Sequence, residues 1–121
     1  MKTLTVLYTK TDNKSYFKDI DTGIELNQPL GTYSQKYPTT GMRFRTFKAG
    51  LEYNWHNAPQ PQYIIYLDGE VEVKASGGEK RVFQAGDILF ATDLFGEGHI
   101  TRTLTDGNSI IITTQEDKLS E

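Results

Sequence analysis

The chain has 121 residues, no cysteine and a formal net charge of −3 at pH 7. This length fits one compact domain over residues 1–121, and the lack of cysteine excludes disulfides, thiol nucleophiles and thiolate metal ligands. The acidic balance provides no basic surface for nucleic acid, and no apolar run approaches the roughly 18 residues needed to span a bilayer. We therefore expect a cytoplasmic protein that binds neither nucleic acid nor membranes.

Alternation of apolar and polar residues dominates the chain, and no helical periodicity stands out, which predicts an all-β protein of eight or nine short strands. The Ser76-Gly77-Gly78 step predicts a tight hairpin turn. Residues 10–40 are the least regular part, and we expect them to wrap around the domain or to pair with a neighbour. Strands are predicted at residues 3–9, 42–48, 62–67, 71–75, 80–83, 87–91, 99–104 and 109–114.

A first segment stands out by its spacing. Five residues separate Gly50 from His56, five separate His56 from Gln62, and six separate Gln62 from Gly69. This pattern resembles the first motif of the cupin family, which has a second histidine where Ala58 stands and a glutamate where Gln62 stands. The resemblance implies the cupin scaffold with an incomplete set of metal ligands.

A second segment begins at Gly86 and resembles the second cupin motif. Gly96 precedes His99 by three positions, as in the family pattern. Thr92 replaces the usual proline, two extra residues precede Gly96, and Thr103 replaces the usual asparagine. The second motif supplies the last histidine of a cupin site, which here is His99.

The two motifs, at residues 50–69 and 86–103, lie in the order and at the separation typical of cupins. The resemblance implies a single-domain cupin, a double-stranded β-helix or jelly-roll barrel, with Gln62 and His99 facing its cavity. A barrel of this size encloses side chains or one small ligand. Cupins of this size commonly form homodimers, and we expect one here.

The resemblance assigns His56, Gln62 and His99 as the candidate ligands of a divalent metal such as Zn, Ni, Fe or Mn. Two imidazoles and one neutral amide predict weak binding, because the negative ligand is missing. An alternative is that the histidines are hydrogen-bonded barrel lining with no chemical task. No nucleotide cofactor is expected, because the chain lacks the phosphate-binding glycine motifs.

His56 and His99 are also candidate catalytic residues, because imidazole titrates near neutral pH and can carry a proton without a metal. Sugar isomerases and epimerases with this scaffold work in that way, by resemblance. Asp93 is a candidate to orient a histidine or a substrate hydroxyl, although a turn residue is the alternative interpretation.

Other side chains are candidates for ligand contact. Aromatic residues could cover the apolar face of a ligand, or pack in the core: Tyr53, Trp55, Tyr63 and Tyr66. Three arginines could bind a carboxylate or phosphate, although we expect at least two to be exposed strand residues: Arg43, Arg45 and Arg102.

The sequence therefore predicts a small-molecule-binding cupin of unassigned specificity, with a weakly bound divalent metal in the barrel. One alternative is an isomerase, epimerase or dehydratase acting on a small polar metabolite. Another is a binding module without turnover. The fold does not decide among them.

Overall fold

The computed structural model describes residues 2–115, so residue 1 and residues 116–121 of the predicted domain lie outside the described part. Residues 2–115 contain twelve strands and no helix, and hence no helix that could cross a membrane. The strands are β1 (Thr3–Thr9), β2 (Ser15–Asp21), β3 (Leu26–Gln28), β4 (Gly31–Tyr33), β5 (Gly41–Phe47), β6 (Glu52–His56), β7 (Gln62–Asp68), β8 (Val71–Ala75), β9 (Lys80–Phe83), β10 (Ile88–Ala91), β11 (His99–Thr103) and β12 (Gly107–Thr113).

Two sheets face each other. The larger has the strand order β2-β1-β10-β7-β12-β5, and the smaller has the order β6-β11-β8-β9. The pairing of β1 with β10 is parallel, whereas the other pairings among the described strands are antiparallel. Strands β3 and β4 form a separate hairpin. Most neighbours in the large sheet are distant along the chain, as in a jelly roll, and the predicted all-β fold is confirmed.

The main core fills part of the space between the sheets. Strand β8 illustrates how a strand supplies residues to this core. Val71, Val73 and Ala75 are buried and the residues between them are not, because successive strand residues point to opposite faces. Each large apolar side chain buried in this way contributes about 1.5–3 kcal/mol to folding. The buried members of this core are Leu7, Phe17, Phe47, Ile64, Tyr66, Val71, Val73, Ala75, Phe83 and Leu89.

The outer face of the large sheet carries a second, smaller core of Leu4, Val6 and Phe90. Tyr37 packs beside this core, with its ring 6.3 Å from that of Tyr63, and its hydroxyl donates a hydrogen bond to the Thr22 carbonyl. Part of residues 10–40 therefore covers this face of the domain, as expected.

Four of the described strands were not predicted: β2, β6 and the short pair β3 and β4. Strand β2 carries Asp19 and Asp21, a residue type that is depleted in strands, yet it pairs with β1 over seven consecutive positions. The hairpin between them turns at Asn13, whose φ is 65°. Strand β6 lies in a segment for which no strand was predicted; its residues are largely exposed, and its pairing with β11 provides its backbone hydrogen bonds. In β2 and β6, pairing with a neighbouring strand outweighs the local sequence preference.

Strand β5 lies at the edge of the large sheet and has an unusual alternation. Met42 and Phe44 are 60% and 76% exposed, whereas Arg43, Arg45 and Phe47 point to the inner side, where they line the space between the sheets. The apolar pair thus points away from the space between the sheets and the two arginines point towards it, with Arg43 exposed and Arg45 half-buried.

Candidate functional site

A cavity of about 690 Å³ opens between the two sheets. Its volume lies in the range of 300–1,000 Å³ that is typical of small-molecule sites. Apolar side chains form much of its wall, including Ile64, Leu89 and Ile111. Seven of the residues predicted for ligand or metal contact line it: Arg43, Arg45, Tyr53, His56, Gln62, Tyr66 and His99.

His99 begins β11 and is 6% exposed. Its Nδ1 lies 2.5 Å from Oδ2 of Asp93, a carboxylate that is completely buried behind the ring. With its proton on Nδ1, the imidazole donates to the carboxylate, and the lone pair of Nε2 is left for the cavity. Asp93 is therefore the orienting group of His99, although it does not line the cavity itself.

The Asp93 carboxylate has no surface through which water could solvate it. Its Oδ1 has no hydrogen-bond partner among the described residues, while its Oδ2 bonds to His99. A buried carboxylate is costly unless a partner compensates its charge. The arrangement is therefore one that stabilises positive charge on the His99 ring.

His56 ends β6 directly beside His99. Its Nδ1 lies 2.7 Å from the carbonyl oxygen of Asn54, so that Nδ1–H donates to this oxygen and Nε2 keeps its lone pair. The centroids of the two imidazole rings are 4.2 Å apart. Burial lowers the pKa of His56, and the hydrogen bond to Asn54 opposes this effect in part. His56 is accordingly neutral at pH 7.

A β-bulge in β6 decides which residues of this strand face the cavity. His56 pairs with His99 and Tyr53 pairs with Thr101, so three steps along β6 match two steps along β11. The extra residue brings Tyr53 and His56 to the same side, where their rings stack at 3.7 Å and 5°. Trp55 is 47% exposed and does not line the cavity, so the structure does not support its predicted ligand contact.

The backbone before His99 approaches β6 closely. Gly98 has a φ of +76°, and a Cβ at this position would lie 2.6 Å from the carbonyl carbon of His56 and closer still to its oxygen. The carbonyl of Gly98 also accepts a hydrogen bond of 2.7 Å from the buried Ser15 hydroxyl. Glycine is needed here because the chain has no room for a side chain between the two histidines' strands.

The opposite wall belongs to the large sheet. Gln62 and Tyr66 point into the cavity from β7, and Tyr66 is 2% exposed. Burial raises the pKa of the Tyr66 hydroxyl, while the neighbouring Arg45 guanidinium acts in the opposite direction. Tyr66 is therefore an uncharged hydroxyl in the floor of the site.

The three arginines differ in whether they face the cavity. Arg43 and Arg45 line the cavity. Arg102 lies outside it, 3.8 Å from a carboxylate oxygen of Glu52 and 3.8 Å from one of Glu72. From the sequence, all three were candidate anion binders and at least two were predicted to be exposed strand residues, and Arg43 and Arg102 are indeed exposed.

The cavity also contains the donors predicted for a metal. Both histidines present Nε2 and hold Nδ1 against a carbonyl or a carboxylate, which is the usual support of metal-bound histidines. However, the described residues contain no group of three or more histidine, aspartate or glutamate side chains placed to hold a metal ion. The donors available at this place are two imidazoles and the neutral amide of Gln62.

Sequence similarity to a curated relative covers only part of the chain. No protein-family profile matches the chain. A segment of 47 residues is 32% identical to the oryzines biosynthesis cluster protein J of Aspergillus oryzae; it covers 39% of this chain and spans only 26% of that relative's length.

Solved structures are similar over a larger part of the chain. An RmlC-like cupin from Shewanella frigidimarina superposes with a TM-score of 0.52 at 20% identity, covering 73% of this chain and 74% of that one. A conserved protein of unknown function from Streptococcus pyogenes gives a TM-score of 0.53 at 13% identity, covering 68% and 69%. At these identities the likeness concerns the fold alone. Together with the two facing sheets, it shows that the chain has the cupin fold.

Proposed function

We propose that the chain binds a small polar molecule in the cavity and that His99 exchanges a proton with it as a general acid or base. The buried pair of His99 and Asp93 is the observation that carries this proposal. A cavity of ligand size surrounds the free Nε2 of the histidine.

The chemistry follows from the tautomer. Nε2 of His99 accepts a proton from the bound molecule, and the ring becomes an imidazolium whose charge the Asp93 carboxylate stabilises. Asp93 does not itself take up a proton, and it fixes the orientation of the imidazole ring. In the reverse direction, the imidazolium returns the proton to the molecule, which is the cycle that an isomerase, epimerase or dehydratase requires.

His56 has a different role in this proposal. Because burial lowers its pKa, it stays neutral and accepts a hydrogen bond through Nε2 from a ligand hydroxyl. The stacked Tyr53 ring fixes the imidazole plane at 5° to its own, so the direction of this acceptor is set. One histidine would move the proton while the other positions the molecule.

The test is exchange of carbon-bound hydrogen in D₂O, which detects proton abstraction whether or not the natural product is known. Small hydroxy-ketones and keto acids are incubated with the protein, and loss of the proton signal next to the carbonyl is followed by NMR. The variants are His99→Gln and Asp93→Asn, with Arg102→Gln as the control, because Arg102 lies outside the cavity.

We expect the wild type to accelerate exchange of at least one probe, and His99→Gln to slow it by about 100-fold or more, since general acid–base catalysis contributes about 10²–10⁴. Asp93→Asn should slow exchange and leave the affinity for the probe nearly unchanged. Saturable binding with exchange no faster than in buffer would refute the proton transfer and leave a binding module.

A second candidate function is a metal-assisted one, favoured by two imidazole rings that lie 4.2 Å apart and whose Nδ1 atoms both have hydrogen-bond partners. His56 and His99 would hold a divalent ion, with Gln62 as a third donor. When bound, such an ion would polarise a carbonyl or hydroxyl of the ligand. Loading with Zn²⁺ or Mn²⁺ and titration of the His56→Ala variant would test this candidate separately from the metal-free exchange.

A further inference from the structure

We propose that the ligand of this cavity is a small carboxylic acid whose carboxylate is bound by Arg45 and Arg43, across the cavity from the two histidines. This inference rests on the proposed function, because it names the ligand class of the same cavity. Its basis is a guanidinium that is held in place but has unused donors.

Arg45 is fixed by its neighbours on the large sheet. Its Nε donates a hydrogen bond of 2.8 Å to the Ser109 hydroxyl on the adjacent strand β12, and its guanidinium carbon lies 5.1 Å from the centre of the Phe47 ring. Its Nη2 is buried and has no hydrogen-bond partner among the described residues. A buried donor without a partner costs about 1–3 kcal/mol, and a bound acceptor would remove this cost.

Neither arginine of the cavity has a protein counter-ion in the described part of the chain. No carboxylate of residues 2–115 lies within 4.0 Å of the guanidinium of Arg43 or Arg45. Among the residues that line the cavity, the one acid is Glu52, which is 3.8 Å from Arg102 on the outside. The cavity therefore has positive charge inside a chain whose net charge is −3.

The form of the site favours a carboxylate over a phosphate. A guanidinium presents its donors in one plane and binds a planar carboxylate through two parallel hydrogen bonds. The rest of this wall combines apolar side chains such as Ile64 and Ile111 with the polar Gln62 and Tyr66, and among the described residues it has no lysine or further arginine to match the additional charge of a phosphate.

The position of the histidines sets the second functional group of the ligand. Arg43 and Arg45 lie on the large sheet, whereas His56 and His99 lie on the small one. Facing sheets are about 10 Å apart, so one molecule of roughly three to six carbons can reach both walls. We infer a hydroxy or keto acid, with its carboxylate at Arg45 and its hydroxyl or carbonyl at the histidines.

The test is isothermal titration of the full chain with 3-hydroxybutyrate and malate, each beside its uncharged carboxamide, and with glycerol 3-phosphate. The variants are Arg45→Gln and Arg43→Gln, with Arg102→Gln as the matched control. Urea denaturation shows whether each variant is folded. Arg43→Gln remains informative if Arg45→Gln does not fold, because the Arg43 side chain is exposed and its loss leaves the core intact.

We expect an acid to bind the wild type and Arg102→Gln equally, and to bind Arg45→Gln at least 10-fold more weakly, as loss of a charged hydrogen bond predicts. Carboxamides should bind weakly and equally to all four proteins. If a carboxamide binds as well as its acid, or if both cavity variants keep the wild-type affinity, this inference is wrong and the proposed function stands. Tight binding of glycerol 3-phosphate alone would also overturn it. If no probe of any kind binds, the proposed function itself fails.

Discussion

Replacement of Gly98 by alanine is expected to destabilise the fold far more than the same replacement at Gly50. The two glycines have similar backbone conformations, with φ of +76° and +83°. Their surroundings differ completely: a Cβ on Gly50 meets nothing within 4 Å, whereas a Cβ on Gly98 lies 2.6 Å from the His56 carbonyl carbon. The pair therefore separates the cost of a left-handed backbone from the cost of a steric overlap.

The magnitudes follow from these two contributions. A left-handed conformation costs an L-residue about 1–2 kcal/mol, and this should be the whole effect of Gly50→Ala. At Gly98, backbone atoms must also move to admit the methyl group, which adds about 1–3 kcal/mol by comparison with overpacked cores. The expected loss in the free energy of unfolding is thus about 2–5 kcal/mol for Gly98→Ala.

Urea denaturation of both variants and the wild type measures these losses, provided that the slopes of the transitions agree. Because the overlap pushes the strand of His99 away from that of His56, Gly98→Ala should also weaken ligand binding, which Gly50→Ala should leave unchanged. Equal destabilisation of the two variants, within about 0.5 kcal/mol, would refute the close approach of the two strands.

Three further predictions concern charge, metal and assembly. Burial lowers the pKa of His56 below 6.5, so the unfolded chain binds more protons than the folded chain as the pH falls. The contribution of His56 to stability is therefore present above pH 6.5 and is lost as the pH falls through the pKa of the folded state. Measurements of the free energy of unfolding against pH should show that His56→Gln removes this part of the pH dependence. Elemental analysis should show any divalent metal leaving on dialysis against a chelator, and metal that stays bound would contradict a two-imidazole site. Light scattering should find a homodimer that Phe44→Glu weakens and Lys80→Glu does not. Phe44 is chosen because its apolar side chain is 76% exposed on an edge strand. A monomeric wild type would contradict the predicted dimer.

Much of the fold could be predicted from local pattern. The alternation in Val71–Ala75 and the β-branched run Thr3–Thr9 gave strands with the observed bounds, because β8 has one buried face and β-branched residues favour strands. Strand β2 was not predicted, because it is stabilised by pairing with β1 and its own sequence has no clear strand pattern. Strand β6 escaped because nearly all of its side chains are exposed.

The cavity could be predicted only in part. Gln62 and Tyr66 are an even number of residues apart, and both face the cavity, because β7 is regular over this stretch. The rule that alternate residues of a strand share a face does not hold in β6, where the bulge brings Tyr53 and His56 together and leaves Trp55 outside. An extra residue in a strand has no sequence signature that a single chain reveals, so the stacked pair became visible only in the structure.

The strand order of the large sheet also limits when this protein can fold. Strand β1 needs β10 as its parallel partner, with Thr5 opposite Leu89, and β12 must enter between β7 and β5. A ribosome delivers the chain from its N-terminus at about 5–20 residues per second, so the early strands leave the exit tunnel seconds before their partners exist. Until then, β1 and β2 form a lone hairpin and β5 has no neighbour. The apolar side chains of β5 therefore lack their partner strand until β12, the last of the described strands, has been made.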